Sequence, residues 1–375
     1  MALQDYDTGV ESAAAFGRLT WELTDAVRAN VGARYTDEEK VFQGSFQSFV
    51  RLCLPLPTAS CPDAERIPAT QVTPVPLGPG PDGTTTALFP IVSDETEAFS
   101  KWTWRAALDW DATEQNLLYV GFETGFKSGG FFFSNDSQVF QPEELEAFTL
   151  GSKNRLLDDR LQVDVEAFYW RYDDQQVSTI MRDSLGATNL GTRNVGNATM
   201  QGIEVETEWL VGDATRLGLD AQYLDATYDD FQYTVPGPAP PLSGCAVTPA
   251  GSGFLVDCSG KRAPYAPEWT VNLAAEQAFS LANGARLVAD GRLHYQSQTL
   301  TGLDFTPLEY RDGYASLGAS ITYTTGDDQY YVTAYGNNLT DETVVANTFQ
   351  PPFGRFVVGT LRPPSLFGLR LGARF

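Results

Sequence analysis

The stretch Lys101–Asp111, KWTWRAALDWD, decides the fold. Trp102, Trp104, Ala106, Leu108 and Trp110 occupy alternate positions, and Lys101, Thr103, Arg105, Asp109 and Asp111 stand between them. A period of two belongs to a β-strand, whose successive side chains point to opposite faces. A soluble sandwich strand usually stops after about 5–6 residues, and this one continues for about eleven. One face is apolar and aromatic, the other charged.

The same grammar recurs along the chain. Val27, Ala29, Val31, Ala33 and Tyr35 oppose Arg28, Asn30, Gly32 and Arg34; Ile203, Val205, Thr207 and Trp209 oppose Gly202, Glu204, Glu206 and Glu208. Trp269, Val271, Leu273 and Ala275 oppose Thr270, Asn272 and Glu276, and Leu287, Ala289, Leu293 and Tyr295 oppose Arg286, Asp290, Arg292 and His294. Three glutamates on one strand face cannot sit dry without partners, so the second face is wet. At the chain's end Phe367, Leu369, Leu371, Ala373 and Phe375 alternate with Gly368, Arg370, Gly372 and Arg374.

Connections alternate as well. Short polar turns are predicted at 24–26, 111–115, 157–160, 212–215, 281–284 and 325–328, and long irregular segments at 50–95, 133–140, 183–196, 232–264, 297–308 and 340–361. About thirteen strands result, at 11–24, 26–45, 96–111, 116–132, 141–157, 160–181, 197–212, 215–231, 266–281, 284–296, 309–325, 328–339 and 361–375. The fold class is all-β: one domain over 1–375, part of a transmembrane antiparallel barrel with short periplasmic turns and long extracellular loops. An odd count leaves the first and last strands running the same way, which rules out ordinary antiparallel closure.

Composition agrees. Tyr (16), Trp (7) and Gly (34) are frequent, and 48 acidic against 25 basic residues give a net charge of −23. Phosphate binding needs clustered Lys and Arg, so nucleic acid is excluded as a partner. No run approaches the roughly 20 apolar residues of a transmembrane helix, which leaves strands as the way to span. Residues 1–10, MALQDYDTGV, lack the basic and apolar regions of a secretory signal, so the front of an exported protein is expected to lie elsewhere. Cys53 with Cys61 and Cys245 with Cys258 form two close pairs in Pro/Gly/Ser-rich segments, where local disulfides are expected.

Enzymatic constellations are missing. His294 is the single histidine, which removes Ser-His-Asp, Cys-His and two-histidine metal schemes, and it reads as a polar residue of the wet face. The pairs Asp158–Asp159, Asp173–Asp174 and Asp229–Asp230 lack calcium-loop spacing and read as solvated turns. GFKSGG at 125–130 lacks the spacing of a phosphate loop. No catalytic residue, metal or cofactor is implied. Arg105, Glu204, Glu206, Glu208 and Arg292 are expected to face the lumen, the glutamates opposite basic groups of a neighbouring strand or of a plug. Phe131–Phe133 and the stretch Tyr228–Tyr233 are where ligand contact would be sought, although belt aromatics at the membrane interface account for them better. The ligand-binding residues stay unknown.

Six stretches resemble recurring barrel segments of the TonB-dependent receptor family, in that family's order: VGARYTDEEK (31–40), YVGFETGFKSGGF (119–131), LQVDVEAFYWRYDDQQV (161–177), NATMQGIEVETEW (197–209), KRAPYAPEW (261–269) and YGNNLTDE (335–342). The resemblance covers nearly the whole chain. It implies a Gram-negative outer-membrane barrel of about 22 strands around a plug, of which this chain would supply the last thirteen; signal peptide, plug and about nine leading strands are not seen. The strand with Phe367, Leu369, Leu371 and Phe375 resembles the signal read by the outer-membrane assembly machinery. The implied function is energy-coupled uptake of a scarce bulky nutrient: siderophore-bound iron, a cobalamin-like compound or an oligosaccharide. Implied partners are outer-membrane lipid and lipopolysaccharide, the plug and leading strands, and the TonB complex through the plug. The alternatives are a self-closing passive pore, which requires a closed ring, and a soluble extracellular binding module, which requires the apolar faces to be covered.

Overall fold

The computed structural model describes residues 2–52, 75–79, 85–132, 138–182, 188–236, 239–350 and 356–374. Thirteen long strands form one antiparallel meander: β1 (Ala2–Thr24), β2 (Val27–Leu52), β3 (Thr85–Thr113), β4 (Asn116–Lys127), β5 (Glu143–Leu156), β6 (Leu161–Asp173), β7 (Ala198–Val211), β8 (Thr215–Tyr228), β9 (Trp269–Ser280), β10 (Arg286–Gln296), β11 (Tyr314–Thr324), β12 (Tyr330–Asn337) and β13 (Leu366–Ala373). Each pairs with its sequence neighbours, and Val75–Pro79 adds a short strand beside β3.

Several expected boundaries are corrected. The first strand starts at Ala2, and β2 and β3 run to Leu52 and from Thr85, deep into what reads as a loop at 50–95. The expected strand 160–181 is two, because the chain turns at Asp174 (φ 53°) before Gln176–Arg182 pairs with Thr188–Asn194. The expected strand 116–132 likewise breaks after Lys127, and Gly130–Phe132 pairs with Gln138–Phe140 instead.

Register keeps the two faces pure. Trp21, Ala29, Leu108, Val120 and Leu150 form one apolar rung across five strands. Asp109, Tyr119, Gly151, Glu166, Glu204 and Gln222 form a polar rung on the other side. The apolar face is bare: Trp102, Trp104 and Trp110 are about half exposed, and Phe367, Leu369 and Leu371 are 72–75% exposed. A single layer has no second layer to bury such groups, and each bulky side chain left in water forgoes about 1.5–3 kcal/mol. Hydrocarbon is the solvent in which this face is stable. No helix among the described residues is long and apolar enough to cross a membrane.

Short reversals gather at one end of the sheet. The β5–β6 turn passes Leu157, Asp158 and Asp159 at φ 55–60°, closed by the Arg160 N–H to the Leu157 carbonyl at 3.3 Å. Gly212 (φ 70°) and Gly284 (φ 82°) provide the left-handed residue in the β7–β8 and β9–β10 turns, a conformation that costs glycine nothing. At the other end the connections are long and carry hairpins of their own.

Among the described residues β1 and β13 each keep one edge without a partner, and they do not pair with each other. The sheet is open. That overturns the self-closing pore as a reading of this chain, for the reason the odd strand count gives: the two edge strands run the same way.

Candidate functional site

The polar face is held by a ladder of cross-strand contacts. Arg105 pairs with Glu123 at 2.6 Å and Glu208 with Arg216 at 3.1 Å across strands, and Arg292 pairs with Asp290 at 3.3 Å along its own strand. These groups are partly exposed, so each pair contributes about 0–1 kcal/mol and mainly fixes where the charge sits. Glu204 accepts a hydrogen bond from the Gln222 amide. Glu206 stands in register between Asp164 and Asp220, with no ion pair among the described residues. Of the three glutamates, therefore, one meets a basic group on the neighbouring strand. Near the short-turn end Arg28 grips Asp111, while Asn30 receives Arg18 and Thr20 and donates to Asp109 at 2.9 Å. Phe367, Leu369 and Leu371 lie on the bare face of β13, and Phe375 lies outside the described residues.

Above the long-loop end sits a compact cap. Val177, Val195, Phe231, Val256, Cys258, Ala263, Leu300 and Phe305, from three separate connections, are buried together with Ala198, Ala226 and Tyr228 from the strand ends. Phe231 is fully buried against Tyr228 at 4.7 Å and Phe305 at 5.9 Å between ring centroids. Cys245 and Cys258 are disulfide-bonded, fastening a three-stranded piece made of Gln232–Pro236, Gly253–Asp257 and Ala246–Ala250. Cys53 and Cys61 lie outside the described residues. Tyr228 and Phe231 thus belong to the interior of the cap, neither to a membrane belt nor to a contact surface. Phe131 and Phe132 are half-buried on a small hairpin, with Phe131 6.0 Å from Phe42; Phe133 lies outside the described residues.

Backbone donors tie the connections to one another. Gly244 N–H and Ser243 Oγ reach the Asp304 carbonyl at 2.8 and 3.1 Å. Tyr265 binds both the Leu300 carbonyl, through its N–H, and the Thr301 carbonyl, through its hydroxyl. Thr348 N–H reaches the Thr301 carbonyl at 2.7 Å.

Two carboxyl groups are built into this cap, and sequence reasoning singled out neither. Glu309 is 0% exposed; its Oε2 accepts from the Thr306 N–H at 2.9 Å and the Thr306 hydroxyl at 3.1 Å, and its Oε1 has no partner among the described residues. Asp304 is pushed up to about 6 by burial and then by the nearby Glu309. Burial, and next the Asp304 charge, pushes Tyr233 up to about 12, under the Arg193 guanidinium 5.2 Å from its ring centroid. The signal for Glu309 was present as Thr306-x-x-Glu309, the capping-box spacing.

His294, expected on the polar face, lies there on β10 and bonds Asn272 Oδ1 at 2.7 Å through Nδ1. The described residues contain no group of three or more His, Cys, Asp or Glu that could hold a metal ion.

A two-faced meander, bare and apolar on one side, charged on the other and capped at the long-loop end, is the architecture of an outer-membrane barrel wall. The model of the TonB dependent receptor-like β-barrel matches residues 2–339. The chain belongs to that family. Similar solved structures include the ferric yersiniabactin uptake receptor FyuA from Yersinia pestis (16% identity, TM-score 0.70, 98% of this chain and 46% of that one). They also include the siderophore receptor PiuA from Acinetobacter baumannii (16%, 0.66, 98% and 43%) and the copper transporter OprC (13%, 0.62, 98% and 49%). At such identities the likeness shows the fold, and this chain spans less than half the length of each. The TonB-dependent receptor family consists of transport receptors of the outer membrane rather than enzymes, and its members carry a plug and work with TonB.

Proposed function

We propose that this TonB-dependent receptor chain forms wall and cap of an outer-membrane receptor for energy-coupled uptake of a scarce, bulky nutrient, with siderophore-bound iron placed ahead of a cobalamin-like compound or an oligosaccharide. The observation that carries the reading is the pairing of a bare apolar face, as on Leu369 and Leu371, with a charged face under a folded loop cap. Similar structures that are iron-uptake receptors put siderophore-bound iron first.

In this reading lipid and lipopolysaccharide cover the apolar face, and the assembly machinery engages β13. The plug lies against the polar face and receives energy from the TonB complex. Because β1 and β13 each leave an edge open, transport needs further strands paired with both edges. A soluble binding module is disfavoured by the uncovered tryptophans and leucines.

The test is iron accumulation. Cells lacking the gene should lose uptake of one class of labelled iron chelate, and uptake in the parent should collapse when TonB or the proton gradient is removed. Unchanged accumulation of every chelate, together with unchanged growth on cobalamin and on oligosaccharides, overturns the proposal.

A further inference from the structure

Two arginines meet at the long-loop end of the polar face with no carboxylate among the described residues to answer them. Arg311, on the short hairpin Thr299–Leu300 with Tyr310–Arg311, and Arg362, just before β13, both lie over the ring of Tyr314, at 5.0 and 5.9 Å from its centroid. A chain of hydrogen bonds holds them. Arg362 donates to the Tyr314 hydroxyl at 2.9 Å, that hydroxyl to Gln296 Oε1 at 3.3 Å, and Arg311 to the same oxygen at 2.9 Å and to the Val345 carbonyl at 3.1 Å.

In a protein with 48 acidic residues, neither arginine has an ion pair among the described residues. Burial, and the neighbouring Arg362 charge, lower the affinity of Arg311 for its proton. Two like charges brought together in this way repel, and an anion between them would remove the repulsion.

Around the same Tyr314 ring two polar atoms are sheltered and have no partner among the described residues. Arg311 Nε is one. The other is His294 Nε2, whose ring packs 5.7 Å from Tyr314. In the neutral ring, donation from Nδ1 to Asn272 Oδ1 leaves Nε2 as a bare acceptor. Buried polar atoms without partners are uncommon and ask for an explanation. Here the unmet capacities are complementary: N–H donors suited to a carboxylate, and one acceptor suited to a hydroxyl.

We propose that Arg311, Arg362 and His294 form an anion subsite for a small hydroxycarboxylate group, the carboxylate held by the two guanidinium groups and the hydroxyl by His294 Nε2. Arg362 is the exposed member and meets an arriving anion first. The subsite rests on the uptake reading for its place in transport, but its binding stands apart from transport and is measured on the isolated protein.

The experiment titrates malate and succinate, which differ by one hydroxyl, into the protein extracted in detergent from outer membranes. Malate should bind, succinate roughly tenfold more weakly, and R311Q or R362Q should each weaken malate roughly tenfold. H294F should erase the preference for malate and leave succinate unchanged. Heat-modifiable migration on gels reports folding of every variant, and R362A, at an exposed position, serves if R311Q fails to fold. Failure of malate to bind, or equal affinity in the wild type and in the folded arginine variants, overturns the subsite. Equal affinity of the wild type for malate and succinate overturns the hydroxycarboxylate assignment. Loss of iron uptake with malate binding intact leaves the subsite standing, and the reverse result leaves the uptake reading standing.

Discussion

The hydroxyl of Tyr119 reaches the carboxylate of Glu166 at 2.6 Å, across a strand that contributes only a glycine between them. Tyr119 is on β4 and Glu166 on β6; the intervening position on β5 is Gly151, and a Cβ there would lie 2.2 Å from Tyr119 Cζ. The missing side chain is what lets the ring lie flat across the sheet. Tyr331 over Gly372 and Tyr335 over Gly368 repeat the arrangement on β12 and β13, with Arg374 and Arg370 each 5.9 Å from the ring they accompany.

Gly151→Val should therefore expel the Tyr119 ring and break its bond to Glu166, costing about 1–3 kcal/mol from overpacking. The urea midpoint of heat-modifiable folding measures it. Tyr119→Ala should cost less by itself and should relieve most of the penalty in the double variant, a non-additivity expected of residues in contact.

Replacing Cys245 or Cys258 by serine should free the 229–268 connection without unfolding the wall. The bond closes a separation of 13 residues, for which chain entropy gives about 3 kcal/mol. Limited proteolysis should cut within that connection in the variants, or after reduction, while the barrel fragment keeps its gel mobility.

The cap should be firmer in mild acid than at neutral pH. Asp304 binds its proton with a folded value of about 6 against an ordinary 3.8, so between these the native cap keeps a proton that the unfolded loop has released. Stability of the cap then falls as pH rises from about 4 to about 6, by at most about 3 kcal/mol, and stays at the lower level above that. Hydrogen exchange across 297–313, corrected for intrinsic rates, should show greater protection at the acid end, and Asp304→Asn should flatten the difference.

Leu369→Arg should impair assembly far more than Arg370→Leu. The leucine faces the bare side and the arginine the charged side of the same strand; a midplane arginine on a lipid face costs about 2–4 kcal/mol. The folded fraction in outer-membrane preparations reads the difference.

The wall was legible in the sequence wherever membrane and lumen impose different solvents on the two faces, as at Trp102–Trp110 and Ile203–Trp209. Past the membrane both faces are wet, and the pattern dissolves while the hydrogen-bond ladder continues. Asp37, Glu38, Glu39 and Lys40 follow one another without alternation, yet each pairs in register with β3. The cap was illegible for a different reason. Phe231, Val256, Leu300 and Phe305 come from connections with no period, and only their folding together makes them a core. The cysteine pair marked where to look, and the Thr306-x-x-Glu309 spacing marks a turn but not its burial, while Asp304 carries no pattern at all.

The strict alternation of the meander acts like a reading frame confined to single strands. Deleting one residue inside β7 would invert every side chain beyond it and turn Glu206 and Glu208 outward into hydrocarbon, and the damage would end at the Gly212 turn, where the next strand sets its own phase. The same deletion in a long connection would change no strand's phase. Length variation in descendants of this gene should therefore collect outside the thirteen transits, and the map of tolerated insertions should redraw the topology without any coordinates.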